Sequence, residues 1–269
     1  MEGIRISNKE YRERDGVSSS ELKKIMKSPM HYKHWKENPQ EDTPALLFGR
    51  ACHKYVLETY DFYNEFAVAP NVDRRTKDGK EEWAKFVAES YGKDIVTEEQ
   101  LEIIDAMRTA AYATPFVSKL MSGEKELSFF GVDEETGLTI KCRPDCITEW
   151  NGKHILVDYK TCTDCENTKF YRDSIKFGYD LQMAYYLDIL KQNTGKDYMV
   201  VIIAQEKTAP YVTNVFQLSE NYLENGRELY KEMLKVYKEC EETDTWYGYM
   251  RDGISILGQP DDDLEESEE

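Results

Sequence analysis

"KCRPDCITEWNGKHILVDYKT", residues 141–161, decides how this chain is read. Asn151-Gly152 marks a tight hairpin turn, and the flanking segments have the composition of strands. Yet Asp145, Asp158 and Lys160 stand in those strands. Taking a charge out of water costs several kcal/mol unless it is paired, so these charges need a reason. In a strand, residues i and i+2 share a face, which puts Asp158 beside Lys160 and turns Val157 and Tyr159 the other way. Asp145 and Asp158 are almost symmetric about the turn, so antiparallel pairing brings the two carboxylates within a few ångström. A bound divalent cation relieves the repulsion between them, and an adjacent ammonium stabilises phosphoryl charge or positions a water. The structural alternative is an internal Asp158–Lys160 ion pair, which explains those two residues but not Asp145.

The composition, 269 residues with 40% hydrophobic content and 19 tyrosines, fits an ordered globular protein. No apolar run approaches the ~20 residues that span a bilayer, and no signal-peptide pattern opens the chain. The expectation is a cytoplasmic protein without a membrane role. Net charge is −17, but seven of those charges sit in "DDDLEESEE" (261–269), leaving −10 on the rest. An acidic, disordered tail over 251–269 is expected, beyond a single domain over 1–250. The acidic balance argues against nucleic acid only weakly, since it allows a locally basic groove. The six cysteines are read as reduced thiols; Cys162-Thr-Asp-Cys165 has no second pair at zinc spacing. His31 and His34 read as a wet helix face.

Helices are expected over 15–37 (broken near Pro29), 43–60, 79–91, 97–113, about 166–193 and 219–242. A polar loop is expected at 71–80. Strands are expected at 125–133, 138–150, 154–160, 197–206 and 211–218. The fold class is α/β (α+β): a mixed central sheet flanked by helices, with a helical N-terminal region about 15–122 and a core about 123–240.

Pro144-Asp145, then Asp158-Tyr159-Lys160, resembles the PD-(D/E)XK nuclease signature. His53 in "FGRACHKYVLE" is similar to the Gly-x-x-x-His helix of RecB-like and RecE-type exonucleases, and Gln182 and Tyr186 in "LQMAYY" to their Gln-x-x-x-Tyr helix. Glu126 stands where that family often has a glutamate, at the start of the strand before Asp145. "SSSELKKIMKSPMHYK" and "RRTKDGKEEW" resemble N-terminal segments of phage and prophage RecE-type (exonuclease VIII-like) proteins. The resemblance covers about residues 15–240.

It implies a restriction-endonuclease-like core and a Mg²⁺-dependent exonuclease, with Mn²⁺ able to substitute. Asp145, Asp158, His53 and the Tyr159 carbonyl would hold metal, with Glu126 assisting through water. Lys160 would activate the attacking water, and Gln182 and Tyr186 would position lysine or DNA. It further implies 5′-to-3′ degradation of double-stranded DNA ends, a RecT-type annealing partner, a ring-like homo-oligomer, and a bacterial or phage-infected cell. Taken alone, His53 also reads as a satisfied core histidine, and Gln182 and Tyr186 as a packing surface with polar tips. Arg50 shares the His53 face. Arg74, Arg75, Lys77 and Lys80 form either a phosphate-holding loop or a solvated one. A Cas4-like or RecB-like end processor, some with an iron–sulfur cluster, is the nearer alternative; a non-enzymatic binding module on the same fold is the more distant one.

Overall fold

The structure, a computed structural model, describes residues 3–38 and 42–253. The tail's acidic run at 261–269 lies outside them. The chain opens with α1 (Asn8–Glu13), β1 (Val17–Ser18), α2 (Ser19–Lys27) and α3 (Pro29–Glu37). Glu21 accepts from the Ser18 backbone N–H at 2.9 Å, closing the first turn of α2. Ser28 caps α3, with Pro29 at its first position, so the expected break near Pro29 separates two helices. Then come α4 (Pro44–Leu57), α5 (Phe62–Glu65), β2 (Phe66–Ala69), α6 (Lys77–Glu89), β3 (Asp94–Thr97), α7 (Glu98–Ala113) and α8 (Val117–Leu120). Parallel pairing of β2 with β3 was not expected. The loop at 71–80 is shorter than expected because Thr76 caps α6, making Lys77 and Lys80 helical.

The second half runs β4 (Glu124–Lys125), β5 (Phe129–Val132), β6 (Thr139–Cys142), β7 (Cys146–Trp150), β8 (Lys153–Cys162), α9 (Asn167–Lys176), α10 (Tyr179–Thr194), β9 (Tyr198–Glu206), β10 (Thr213–Gln217) and α11 (Glu220–Thr243). The helical region about 166–193 is thus two helices, parted at Gly178, whose φ is +61°.

The segments 125–133 and 138–150, each expected as one strand, both break in two. Their halves enter different sheets: β4 and β7 join the five-stranded sheet β10-β9-β8-β7-β4, whereas β5 and β6 join β1 in a three-stranded sheet. The causes are local. Glu126 has a left-handed φ of +55°, and Pro144 has no N–H for a ladder. The two breaks lie side by side, with the Glu126 N–H donating to the Asp145 carbonyl at 3.3 Å.

The β7–β8 hairpin has the register read from the sequence, from Trp150 opposite Lys153 to Cys146 opposite Val157. Asn151 and Gly152, with φ of 51° and 71°, form its turn; positive φ at both central residues is the hairpin geometry that matches strand twist. One step further would set Asp145 opposite Asp158, but β7 ends at Cys146. β9 runs parallel to β8 after the α9–α10 crossover.

Alternate residues of β8 feed two cores. Leu156 packs with Leu22, Leu181, Tyr185 and Leu234 from α2, α10 and α11. Ile155, Val157 and Tyr159 pack with residues of α4, α7 and α8, including Cys52 and Met107. The N-terminal helices are therefore the outer layers of the sheet itself. The fold is α/β with a mixed sheet, covered on both faces. Helix α6 stands apart, with only Gly79 buried. Among the described residues, no helix is long and apolar enough to cross a membrane.

Candidate active site

The site forms where β7 stops short of β8, opening a notch seen from both helical layers. Paired residues of an antiparallel ladder exchange both N–H···O bonds, so a residue's N–H and C=O point to the same edge. Past Cys146 that edge of β8 has no strand partner. Asp145 takes the place: its Oδ2 accepts from the Tyr159 N–H at 2.7 Å. The Tyr159 carbonyl projects to the same edge. The Tyr159 ring turns away into the core and donates to Gln205 Oε1 at 2.5 Å.

From the α4 layer, His53 Nε2 lies 2.9 Å from Asp145 Oδ2, and its Nδ1 lies 3.8 Å from Glu126 Oε1. Arg143 Nε approaches the other Glu126 oxygen at 2.7 Å. His53, Glu126 and Asp145 present ligand atoms within 4.8 Å of one another, a group able to hold a metal ion. Asp158 lies outside this group. It is fully buried and faces the other layer, with Lys160 Nζ 2.6 Å from its Oδ2 and Gln182 Nε2 donating to Oδ1 at 3.3 Å. Glu126 thus joins the metal-capable group directly, whereas Asp158 stands beside it.

The electrostatics follow from burial and pairing. Burial alone would raise Asp145, but the His53 charge and hydrogen bond, Lys160 and the Tyr159 N–H hold its carboxyl below the usual range. Burial disfavours the charged His53, yet Asp145 and Glu126 raise it to about 9. Glu126 is pushed up to about 7 by burial, with His53 opposing and Asp145 adding. Burial likewise raises Asp158, against the pull of Lys160. Lys160 is held charged, since Asp158 and Asp145 outweigh its own burial.

The residues fit a divalent cation. An imidazole and two carboxylates converge, a donor set of hard oxygens plus one nitrogen. Among the described residues, the buried Asp158 Oδ2 has no aligned hydrogen-bond donor, despite its ion pair, which leaves it lone pairs to offer.

The notch opens on a cavity of about 570 Å³, lined among others by Gly49, Arg50, His53, Glu126, Arg143 and Lys160. A Cβ on Gly49 would meet nothing within 4 Å, so the glycine four residues before His53 leaves room in the cavity, not for a strand. Arg50 lines the cavity but is held by Asp42 at 2.6 Å and Asp94 at 2.8 Å. Arg74, Arg75, Lys77 and Lys80 do not line it; Arg74 covers the Trp83 ring at 4.1 Å and Arg75 pairs with Asp73. Tyr186 is buried in the first core, where Asp158 and Lys160 bear on its hydroxyl but it does not reach the cavity. All six cysteines are free, and Cys162 and Cys165 belong to no metal-capable group among the described residues. Nor do His31, bonded to Ser28 at 2.6 Å, and His34, beside Asn38.

Sequence reasoning missed four cations. Arg143 was read only as part of a strand. Arg12 and Lys207 line the cavity without an ion pair among the described residues. Lys23 of α2 donates to Gln182 Oε1 at 2.6 Å. No spacing signal distinguishes these from solvated bases.

A family model described as "PDDEXK-like domain of unknown function (DUF3799)" matches residues 18–251. Among solved structures, a "Putative exonuclease" from Eubacterium rectale shares the fold with a TM-score of 0.65 at 18% identity, covering 95% of this chain and 98% of its own. A protein named SSO0001 matches at TM-score 0.36 and 10% identity over 83% of this chain and 77% of its own, too distant to carry an argument. No curated protein matches. Because the family model spans most of its length, the chain belongs to the PDDEXK-like family DUF3799, within the PD-(D/E)XK nuclease superfamily.

Proposed function

We propose that this protein is a divalent-metal-dependent DNA exonuclease of RecE type. The observation that carries the reading is the notch itself: Asp145 closing the open edge of β8, with His53 and Glu126 on one side and the Asp158–Lys160 pair on the other. A structural ion pair needs none of the first three.

His53, Glu126 and Asp145 would hold Mg²⁺ or Mn²⁺, with the Tyr159 carbonyl and Asp158 as further oxygens. Bound there, the cation supplies neutralisation of charge on a phosphodiester oxygen. The chain's own groups do the rest. Lys160, pinned to Asp158, presents an ammonium to the cavity, where it orients the attacking water and stabilises developing negative charge. Gln182 steadies Asp158 from behind. Arg143, whose Nη1 is buried without a hydrogen-bond partner among the described residues, offers a donor to the phosphate. Arg12 and Lys207 hold flanking phosphates. In the same reading the enzyme works in the cytoplasm as a ring-like homo-oligomer and degrades duplex ends 5′ to 3′, leaving 3′ single strands for a RecT-type annealing protein.

The test is nucleotide release from linear duplex labelled at the 5′ or the 3′ end, beside covalently closed circles. Early release of the 5′ label, with circles untouched, supports the reading. Release first from the 3′ label removes the RecE-type assignment, and cutting of circles removes exonuclease. No release under any metal or salt condition removes the enzyme.

A further inference from the structure

We propose that Lys23 is a positioning residue of this site: it holds Gln182 so that the amide NH₂ faces Asp158. The inference rests on the nuclease reading for its consequence, but not for its geometry.

Lys23 Nζ donates to Gln182 Oε1 at 2.6 Å, and Gln182 Nε2 donates to Asp158 Oδ1 at 3.3 Å. An amide can turn either end toward a neighbour. As an ammonium, a lysine nitrogen has donors and no acceptor, so it gives its N–H to the oxygen end; burial and Lys160 pull Lys23 down to about 7, against Asp158 and Asp180. That contact decides the orientation of Gln182 and leaves only its NH₂ for the buried carboxylate. With the amide reversed, Oε1 would face Asp158 Oδ1, acceptor against acceptor. Asp158 would then keep Lys160 on one oxygen and lose its restraint on the other.

The surroundings hold Lys23 in place. Its neighbours Leu22 and Ile25 are buried on α2. At Gly178, just before α10, a Cβ would come within 3.4 Å of the Lys23 stem. Lys23 Nζ and Lys160 Nζ each sit 5.1 Å from the centroid of the Tyr179 ring, the first residue of α10. Helix α10 is braced from behind as well: Gly226 of α11 comes so close that a Cβ there would lie 2.2 Å from the Asp180 carbonyl oxygen. One helical turn thus carries Tyr179 and Gln182 between two lysines, one from the motif and one from the N-terminal layer. Lys23 makes no hydrogen bond to Asp158 itself; its charge is felt by Asp158 and Lys160, and its hold on the geometry runs through Gln182.

The experiment compares Lys23→Met, Gln182→Met and the double variant in turnover of linear duplex, with melting curves alongside. Methionine keeps the apolar stem of the half-buried Lys23; if Lys23→Met does not fold, Lys23→Leu takes its place. Lys23→Met lowers kcat about tenfold or more, the cost of a loosened catalytic geometry, with KM for DNA within about twofold. In the Gln182→Met background the same change costs less than about twofold. Lys23→Arg, which keeps the donor, restores kcat to within about threefold. Additive losses, a raised KM at unchanged kcat, or failure of arginine to restore kcat would each overturn the proposal. The Gln182 side-chain amide resonance provides a readout independent of activity. It shifts strongly in Lys23→Met, and an unmoved resonance overturns the proposal even where the wild type cuts no DNA.

Discussion

The Asp158–Lys160 pair allows a direct separation of structure from catalysis. Asp158 is 0% exposed and Lys160 retains 18% side-chain exposure, with Nζ 2.6 Å from Oδ2. Removing one partner of a buried pair costs about 3–5 kcal/mol. The lower end applies to Asp158→Asn, because Lys160 keeps some water and the attraction of Asp145. A loss of about 3 kcal/mol corresponds to roughly 6–12 °C in Tm for a chain of this size. Replacing both, Asp158→Leu with Lys160→Met, removes the stranded charge and recovers most of the loss, since a buried pair and an apolar substitute of similar volume are nearly equal in stability. Turnover behaves differently: Asp158→Asn, Lys160→Met alone and the double variant each lose at least about a hundredfold. Urea unfolding in EDTA and nucleotide release in Mg²⁺ give the two readouts. If Asp158→Asn costs less than about 1 kcal/mol, or the double variant loses as much as both singles together, the pair is not coupled in the interior. If the double variant regains turnover with its stability, the pair is structural and the catalytic reasoning fails.

Three further outcomes follow from the same geometry. In metal-free protein, His53 is raised from about 6.5 unfolded to about 9 folded. The stability it contributes is therefore full below pH 6.5 and lost as pH rises through 9. Urea melts should show the advantage of wild type over His53→Gln shrinking by on the order of 1–2 kcal/mol between pH 6 and pH 10, after solvent screening. Gly49→Ala points into open space on a helix and should raise stability by about 0.5–1 kcal/mol; Gly49→Trp should fold, by melting curve, but raise KM for DNA about tenfold or more by filling the cavity. Arg12→Ala and Lys207→Ala should each lower the salt slope of DNA binding by about one, measured by fluorescence anisotropy, whereas Arg75→Ala and Lys80→Ala leave it unchanged.

Much of this arrangement was legible because short-range rules fix it. The Asn151-Gly152 turn sets the register that aligns Asp145 with Asp158, and strand parity sets Lys160 beside Asp158. Helix caps and apolar spacing placed His53 and Gln182 on helices. The rest depends on where distant segments meet. Nothing local marks Glu126 for a left-handed φ or announces that 125–133 changes sheets, yet that break delivers Glu126 to His53. Glu124, two residues earlier and on the same face by strand parity, has no local feature to set it apart from Glu126, yet it is exposed in an ion pair with Arg5. No local pattern sets Lys23 apart from the other lysines of its helix, because its contact with Gln182 of α10 is a tertiary fact. Arg74 and Arg75 read equally as phosphate-holding or solvated, because composition cannot reveal that Arg74 covers Trp83 and Arg75 pairs with Asp73.

The most direct test of the account is acid-soluble nucleotide release from linear duplex DNA by the wild type and by Asp145→Asn, first in EDTA and then with Mg²⁺ restored. The wild type should release nucleotides only with metal, and Asp145→Asn none above background, since it leaves His53 and the edge of β8 without their shared carboxylate. Metal-independent release, or equal release by the variant, would contradict it.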